Sequence, residues 1–405
     1  MKNPLKKLLL IWVLGFCLTF PIKNSGAEPY ATLKNRAEKA FAERSYQEAH
    51  EIYKSINLNE LPPAERRWVE LRLADTALRS SASSNQSDDS AYQAAKSKLE
   101  ELTRQTSQKD LAWAEANEAL ADAQWVFPRN RNWPAAWPFY QAALEYWAAS
   151  TNLATAREHY LGIVRRMATL PGERIYWYGY WGNSIPMSIL ENALKIAQSE
   201  EDKAHFHYLI AMSLRQQSNE WEQRFRVPKE FEAAIKSGKK TDWYDDAVYF
   251  YAEWMASNGL AVQQEDGSWR FQPDYEKALE LYRRITSEFR KEESQWYDPA
   301  LNQIRQITAP TVNVSVSNTF LPGSEIEYHL AWRNVDNVQL TLHKVNLTED
   351  IDFLAHTNER GNWLDAVDLS RGRKIKSWNR QTKPKHPHEP GNEQLYLDEK
   401  LEKGA

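Results

Sequence analysis

With 405 residues and a formal net charge of −4, the chain has room for two or three domains and lacks the basic footprint of a nucleic-acid binder. Its 14 glycines are few for a loop-rich or all-β protein, while 17 tryptophans and 19 tyrosines are a large aromatic area to bury. The chain reads as globular and mainly helical through its first three-quarters.

Lys2, Lys6 and Lys7 precede an apolar run from Leu8 to Phe20, and Ser25-Gly26-Ala27 places small residues before a cleavage point. This is the pattern of a secretory signal peptide over residues 1–27, and the run is short for a membrane span. The other reading is an uncleaved N-terminal anchor. Phe16 stands before Cys17 where a lipobox needs a small residue, so Cys17 is expected to leave with the signal. Beyond it there is no cysteine, which excludes disulfides, a thiol nucleophile and thiolate zinc ligands from residues 28–405. Loss of Lys2, Lys6, Lys7 and Lys23 leaves the mature chain near −8. The expectation is an exported protein, periplasmic or extracellular and bacterial, with no membrane span after signal cleavage and no nucleic-acid partner.

Residues 28–306 read as a helical repeat domain. Tyr46, Ala49, Tyr53 and Ile56 share their spacing with Tyr275, Ala278, Tyr282 and Ile285. The spacing recurs at Tyr92/Ala95/Leu99/Leu102, Trp133/Ala136/Tyr140/Ala143, Leu153/Ala156/Tyr160/Ile163 and Tyr244/Ala247/Tyr251/Trp254. Offsets of three, seven and ten share one helix face. The alanine lets a neighbouring helix approach, and the aromatics fill the groove beside it. The pattern resembles the second helix of the tetratricopeptide family. Leu33 and Ala37 replace the tryptophan and glycine expected on the first helix before Tyr46. An unrelated bundle with an apolar stripe is the alternative. Pro62-Pro63 interrupts after the first copy, 80–90 reads as a polar loop, and Trp133-Pro134 reads as a helix start. Gly259 to Pro273, with Asp266-Gly267, reads as a turn or short hairpin.

The segment 175–183 carries five aromatics beside two glycines and is not a well-formed helix. Tyr176, Trp177, Tyr178, Tyr180 and Trp181 are the candidate partner-contact residues; the bland reading is a plug for the solenoid groove. His205 and His207 lie about 200° apart on a helix, so they do not share a metal from one face. Glu200–Asp202 and Asp245-Asp246 read as solvated acids at helix starts. No glycine-rich phosphate loop, nucleophile elbow or His-Glu-x-x-His pattern occurs. The expectation is a non-enzyme with no catalytic residue, no cofactor and no metal.

From Ile307 the period changes to two. Val312/Val314/Val316, Ile326/Tyr328/Leu330/Trp332 and Val338/Leu340/Leu342 alternate with polar residues around turn signals, the pattern of antiparallel strands with one buried face. Residues 351–369 and 394–397 offer weaker strands, and 371–390 reads as a long loop. Residues 307–405 are therefore expected to be an antiparallel β-sandwich, incomplete against the seven strands of an immunoglobulin-sized one and truncated relative to a longer protein.

Several segments together resemble the N-terminal region of large bacterial alpha-2-macroglobulin-like proteins. They include Asp242-Trp-Tyr-Asp-Asp-Ala247, Tyr251-Ala-Glu-Trp254, Pro273-Asp-Tyr-Glu-Lys-Ala278, Ile307-Thr-Ala-Pro310 and Phe320-Leu-Pro-Gly-Ser-Glu-Ile326. The resemblance implies a tetratricopeptide-like helical solenoid before a macroglobulin domain, and endopeptidase inhibition by bait cleavage and thioester capture. Glu393-Gln394 has no partner thiol, so no trapping residue carries over. On this reading the chain is the non-catalytic docking region of an endopeptidase inhibitor whose partner is a target protease. The runner-up is a free-standing periplasmic adaptor that binds another envelope protein.

Overall fold

Alanine and aromatic residues at helical spacing produce the dominant element type, seen in a computed structural model. It describes residues 28–83, 89–104, 109–126, 131–168, 185–216, 221–316, 321, 323–346, 367, 369–370 and 372–397. The chain divides into two compact units at Arg166/Met167.

In the first unit the elements are α1 (Tyr30–Ala42), α2 (Tyr46–Lys54), α3 (Pro63–Ser83), α4 (Asp89–Arg104), α5 (Leu111–Trp125), α6 (Trp133–Ala148) and α7 (Ala154–Ala168), which runs to the boundary. From α1 to α6 each helix packs on its successor, and α3 also packs on α5. The helices therefore extend into the expected loop at 80–90, occupying Ser80–Ser83 and Asp89–Ser90. Asp110 caps α5 by accepting from the Trp113 N–H at 2.9 Å, and Asn132 caps α6 by accepting from Ala135 at 3.2 Å. Every residue of α5 after Leu111 is buried. Six of them are alanines, which allow neighbours on all sides to approach closely.

The second unit begins with α8 (Met187–Ile196), α9 (Glu200–Gln216), α10 (Val227–Ala234) and α11 (Tyr244–Ser257). A hairpin of β1 (Leu260–Gln263) and β2 (Trp269–Gln272) leads to α12 (Tyr275–Glu288) and α13 (Tyr297–Thr308). Small unclosed antiparallel sheets follow: β3 (Thr311–Val316), β4 (Ile326–Arg333), β5 (Asn337–Lys344), β6 (Arg373–Gln381) and β7 (Gly391–Leu397). One sheet has the order β3-β4-β7 and the other pairs β5 with β6. Leu330, Trp332 and Val338 are its buried apolar centre, with Val335, Leu340 and Leu395 against them. Among the described residues no helix is long and apolar enough to cross a membrane.

The alanine and the following aromatic or leucine of every repeated pattern are buried, at Ala49/Tyr53, Ala95/Leu99, Ala136/Tyr140, Ala156/Tyr160, Ala247/Tyr251 and Ala278/Tyr282. The first position of the loosest copy fails: Leu153 precedes α7 and is 60 % exposed. Two other expectations are corrected. The segment 371–390, read as a loop, contains β6, which pairs with β5 along its length. Val312, Val314 and Val316 alternate as expected yet remain exposed, because β3 is the edge of its sheet and the apolar cluster forms over β4.

Candidate functional site

Two helices of the first unit carry charge on faces that otherwise pack against apolar neighbours. On α3, Arg72, Asp75 and Arg79 follow at offsets of three and four; on α5, Glu115, Glu118 and Asp122 do the same. These offsets put each trio on one side of its helix. The two faces meet in a groove of about 410 Å³, to which α1 adds Phe41 and α7 adds His159, Gly162 and Arg166. A second hollow of about 360 Å³, lined by Lys34, Trp68 and Asp110, shares Arg72, Glu115 and His159 with it.

Burying this many ions requires that each be paired and hydrogen-bonded. Arg72 donates through Nε to Glu38 Oε1 at 2.9 Å and through Nη2 to Glu38 Oε2 at 3.1 Å, and its Nη1 lies 2.6 Å from Glu115 Oε2. Arg79 donates to Asp75 at 2.6 Å and to Asp122 Oδ2 at 3.2 Å. Asp122, 1 % exposed, also accepts from Tyr140 Oη at 2.8 Å and from Arg166 Nε at 2.9 Å. Glu118 accepts from Arg166 Nη2 at 2.8 Å and from Trp147 Nε1 at 2.6 Å. Its Oε1 also lies 2.7 Å from His159 Nδ1.

Burial dominates the titration of these groups. It pushes the Glu115 carboxyl up, with Arg72 pulling it back. Burial and the adjacent Asp122 push the Tyr140 phenol far up. For Arg166 burial acts downward, but Asp122 and Glu118 outweigh it and hold the guanidinium charged.

His159 stacks on Trp147, with ring centroids 4.2 Å apart and planes 11° apart. Burial lowers its pKa and Arg166 opposes its charge, but the hydrogen bond and charge of Glu118, with Glu115 beyond, raise it above the ordinary 6.5. A raised folded-state pKa means that the charged imidazole stabilises the fold fully below about pH 6.5, and that this is lost as pH rises through the raised value. We expect His159→Phe, which keeps the stack and removes the bond to Glu118, to cost about 1–2 kcal/mol near pH 6. The deficit shrinks toward pH 9. Urea unfolding at several pH values measures it, and a deficit constant with pH refutes it.

The candidate contact residues Tyr176, Trp177, Tyr178, Tyr180 and Trp181 lie outside the described residues. His205 stacks on Trp243 at 3.8 Å, and His207 Nδ1 lies 2.8 Å from Glu230 Oε2, so the two face different neighbours. Asp245 and Asp246, expected to be solvated, are buried. Asp245 accepts from Ser294 Oγ at 2.6 Å and Asp246 from Trp296 Nε1 at 2.9 Å, and these donors replace the lost water. Sequence reasoning missed the groove. Its one signal was a trio of charges at helical spacing on each of α3 and α5, set among mostly alanine and leucine. The chain matches no protein-family model and no curated protein.

Proposed function

We propose that this chain is a non-enzymatic, exported docking scaffold that forms the front of a bacterial macroglobulin-type endopeptidase inhibitor. The observation that carries the reading is the order of parts. Helices with a recurring buried alanine–aromatic face, interrupted by the β1–β2 hairpin, run to Thr308, and from Thr311 on the described elements are all antiparallel strands. The packing of α3 on both α4 and α5 supports tetratricopeptide-like stacking, in which each helix pair lies on the next. The Leu321–Ser324 turn, closed by Ser324 N–H donating to the Leu321 carbonyl at 3.0 Å, supports a macroglobulin-like start to the β region. The groove of the first unit, lined by side chains of α1, α3, α5 and α7, is where a scaffold would hold its partner.

The rival reading, a free-standing periplasmic adaptor, has one observation in its favour: the described residues that line the groove all precede Met167. Reading the gene past the Ala405 codon separates the two. Further β-sandwich domains support the inhibitor, and an immediate stop codon leaves the adaptor. Residues 28–405 alone should form no SDS-stable adduct with trypsin, since they hold no cysteine; such an adduct would refute the non-covalent scaffold.

A further inference from the structure

We propose that the groove between α1, α3, α5 and α7 binds an acidic peptide segment, one carboxylate of which sits among Arg44, Arg166 and His159. The proposal rests on the docking-scaffold reading and names its partner class. It follows from counting which hydrogen-bonding groups the buried network leaves over. The groove lining holds five arginines and five carboxylates, so formal charge alone does not choose a ligand.

The directions of the side chains do choose one. Both oxygens of Asp122 and both of Glu118 already accept from Arg79, Arg166, Tyr140, Trp147 and His159. Asp75, Glu115 and Glu158 are turned to Arg79, Arg72 and Arg165. A cationic ligand would have to displace an arginine from these acids and leave a buried charge unpaired.

Donors are what remain. Arg166 uses Nε and Nη2 on Asp122 and Glu118, and its Nη1 has no acceptor among the described residues. A Cβ on Gly162 would lie 3.2 Å from that Nη1. The missing side chain in mid-helix therefore keeps the atom open to the groove, although glycine there weakens the helix relative to alanine. His159 engages Glu118 through Nδ1, its Nε2 has no partner among the described residues, and its side chain is 26 % exposed. Arg44 stands in the α1–α2 turn at φ 62°, exposed on the same lining, and its guanidinium pairs with no acid among the described residues. Arg44, Arg166 and, in its charged imidazolium form, His159 thus offer nitrogen donors on one groove lining, and these fit a carboxylate, whose two oxygens accept several such bonds. Phe41 and Ala42 beside them add an apolar wall, so the segment recognised is acidic with apolar residues next to the acid.

The test is fluorescence anisotropy with the full chain and two labelled octapeptides, one alternating glutamate with leucine and one alternating glutamine with leucine. The glutamate peptide should bind at least about tenfold tighter, which is about 1.4 kcal/mol, and weaken with added salt. Arg44→Glu should lower its affinity about tenfold at an unchanged melting temperature, by placing like charge at the mouth. Gly162→Leu, which fills the space beside Arg166, should abolish binding. Equal affinity for the two peptides, or unchanged binding by Arg44→Glu, overturns the acidic partner. If both peptides then lose binding in Gly162→Leu, the groove still docks apolar segments and the scaffold reading survives. Binding of neither peptide also overturns the proposal, while the scaffold reading is judged separately by the gene and trypsin experiments.

Discussion

Replacing Asp122 with alanine will destabilise the first helical unit by about 3–5 kcal/mol, the range for breaking a buried ion pair from one side. The size follows from what is stranded. Asp122 lies at the junction of α3, α5, α6 and α7, and its two oxygens accept from Arg79, Arg166 and Tyr140. Alanine leaves two guanidinium groups facing each other without the charge that separates them. Asp122→Asn keeps the volume and an acceptor oxygen but loses the charge, and should fall between wild type and alanine. Since the chain has two compact units, the loss is best read locally, from hydrogen exchange of α3 and α5 amides alongside urea unfolding. A loss below about 1 kcal/mol would show that the network is hydrated and loose.

Gly259→Ala should cost about 3 kcal/mol or more, from backbone strain and overpacking together. Gly259 ends α11 at φ +68°, and its N–H donates to the Trp254 carbonyl at 2.9 Å. A Cβ there would lie 1.8 Å from the Gln272 carbonyl oxygen, so either the β1–β2 hairpin shifts or the turn unwinds. Either movement disturbs Trp254, a fully buried side chain that donates from Nε1 to the Gly259 carbonyl at 2.9 Å and packs edge-on against Phe271. Thermal unfolding followed by near-ultraviolet circular dichroism reads both the lost stability and the altered tryptophan. A melting temperature within about 2 °C of wild type would refute the clash.

The helical faces were legible because burial and spacing are local properties. Ala49 with Tyr53, and Ala278 with Tyr282, lie within a turn or so of each other, and one helix explains both. The alternation of Tyr328, Leu330 and Trp332 was equally plain, since β4 is the central strand and one of its faces is covered. β6 was hidden by Arg373, Lys374, Lys376 and Arg380, which an edge strand tolerates because it buries little. The burial of Asp245 and Asp246 had no local sign either, because their donors Ser294 and Trp296 stand 49 and 50 residues away. The groove failed for the same reason. Charges on α3 and α5 look like solvated faces until the partners on α1 and α7 are placed beside them.

That separation has a kinetic consequence. In the first unit, helices α1 to α6 pack mainly on sequence neighbours, which favours rapid assembly through short loops. The pairs Arg79–Asp122, Arg166–Asp122 and Arg166–Glu118 span 43, 44 and 48 residues, so they form only once the helices have already docked. The network then acts as a latch closed after the rate-limiting step. Its removal in Asp122→Ala should leave the refolding rate nearly unchanged and appear almost wholly as faster unfolding. Unfolding speed, rather than equilibrium stability alone, then sets the lifetime of the folded unit.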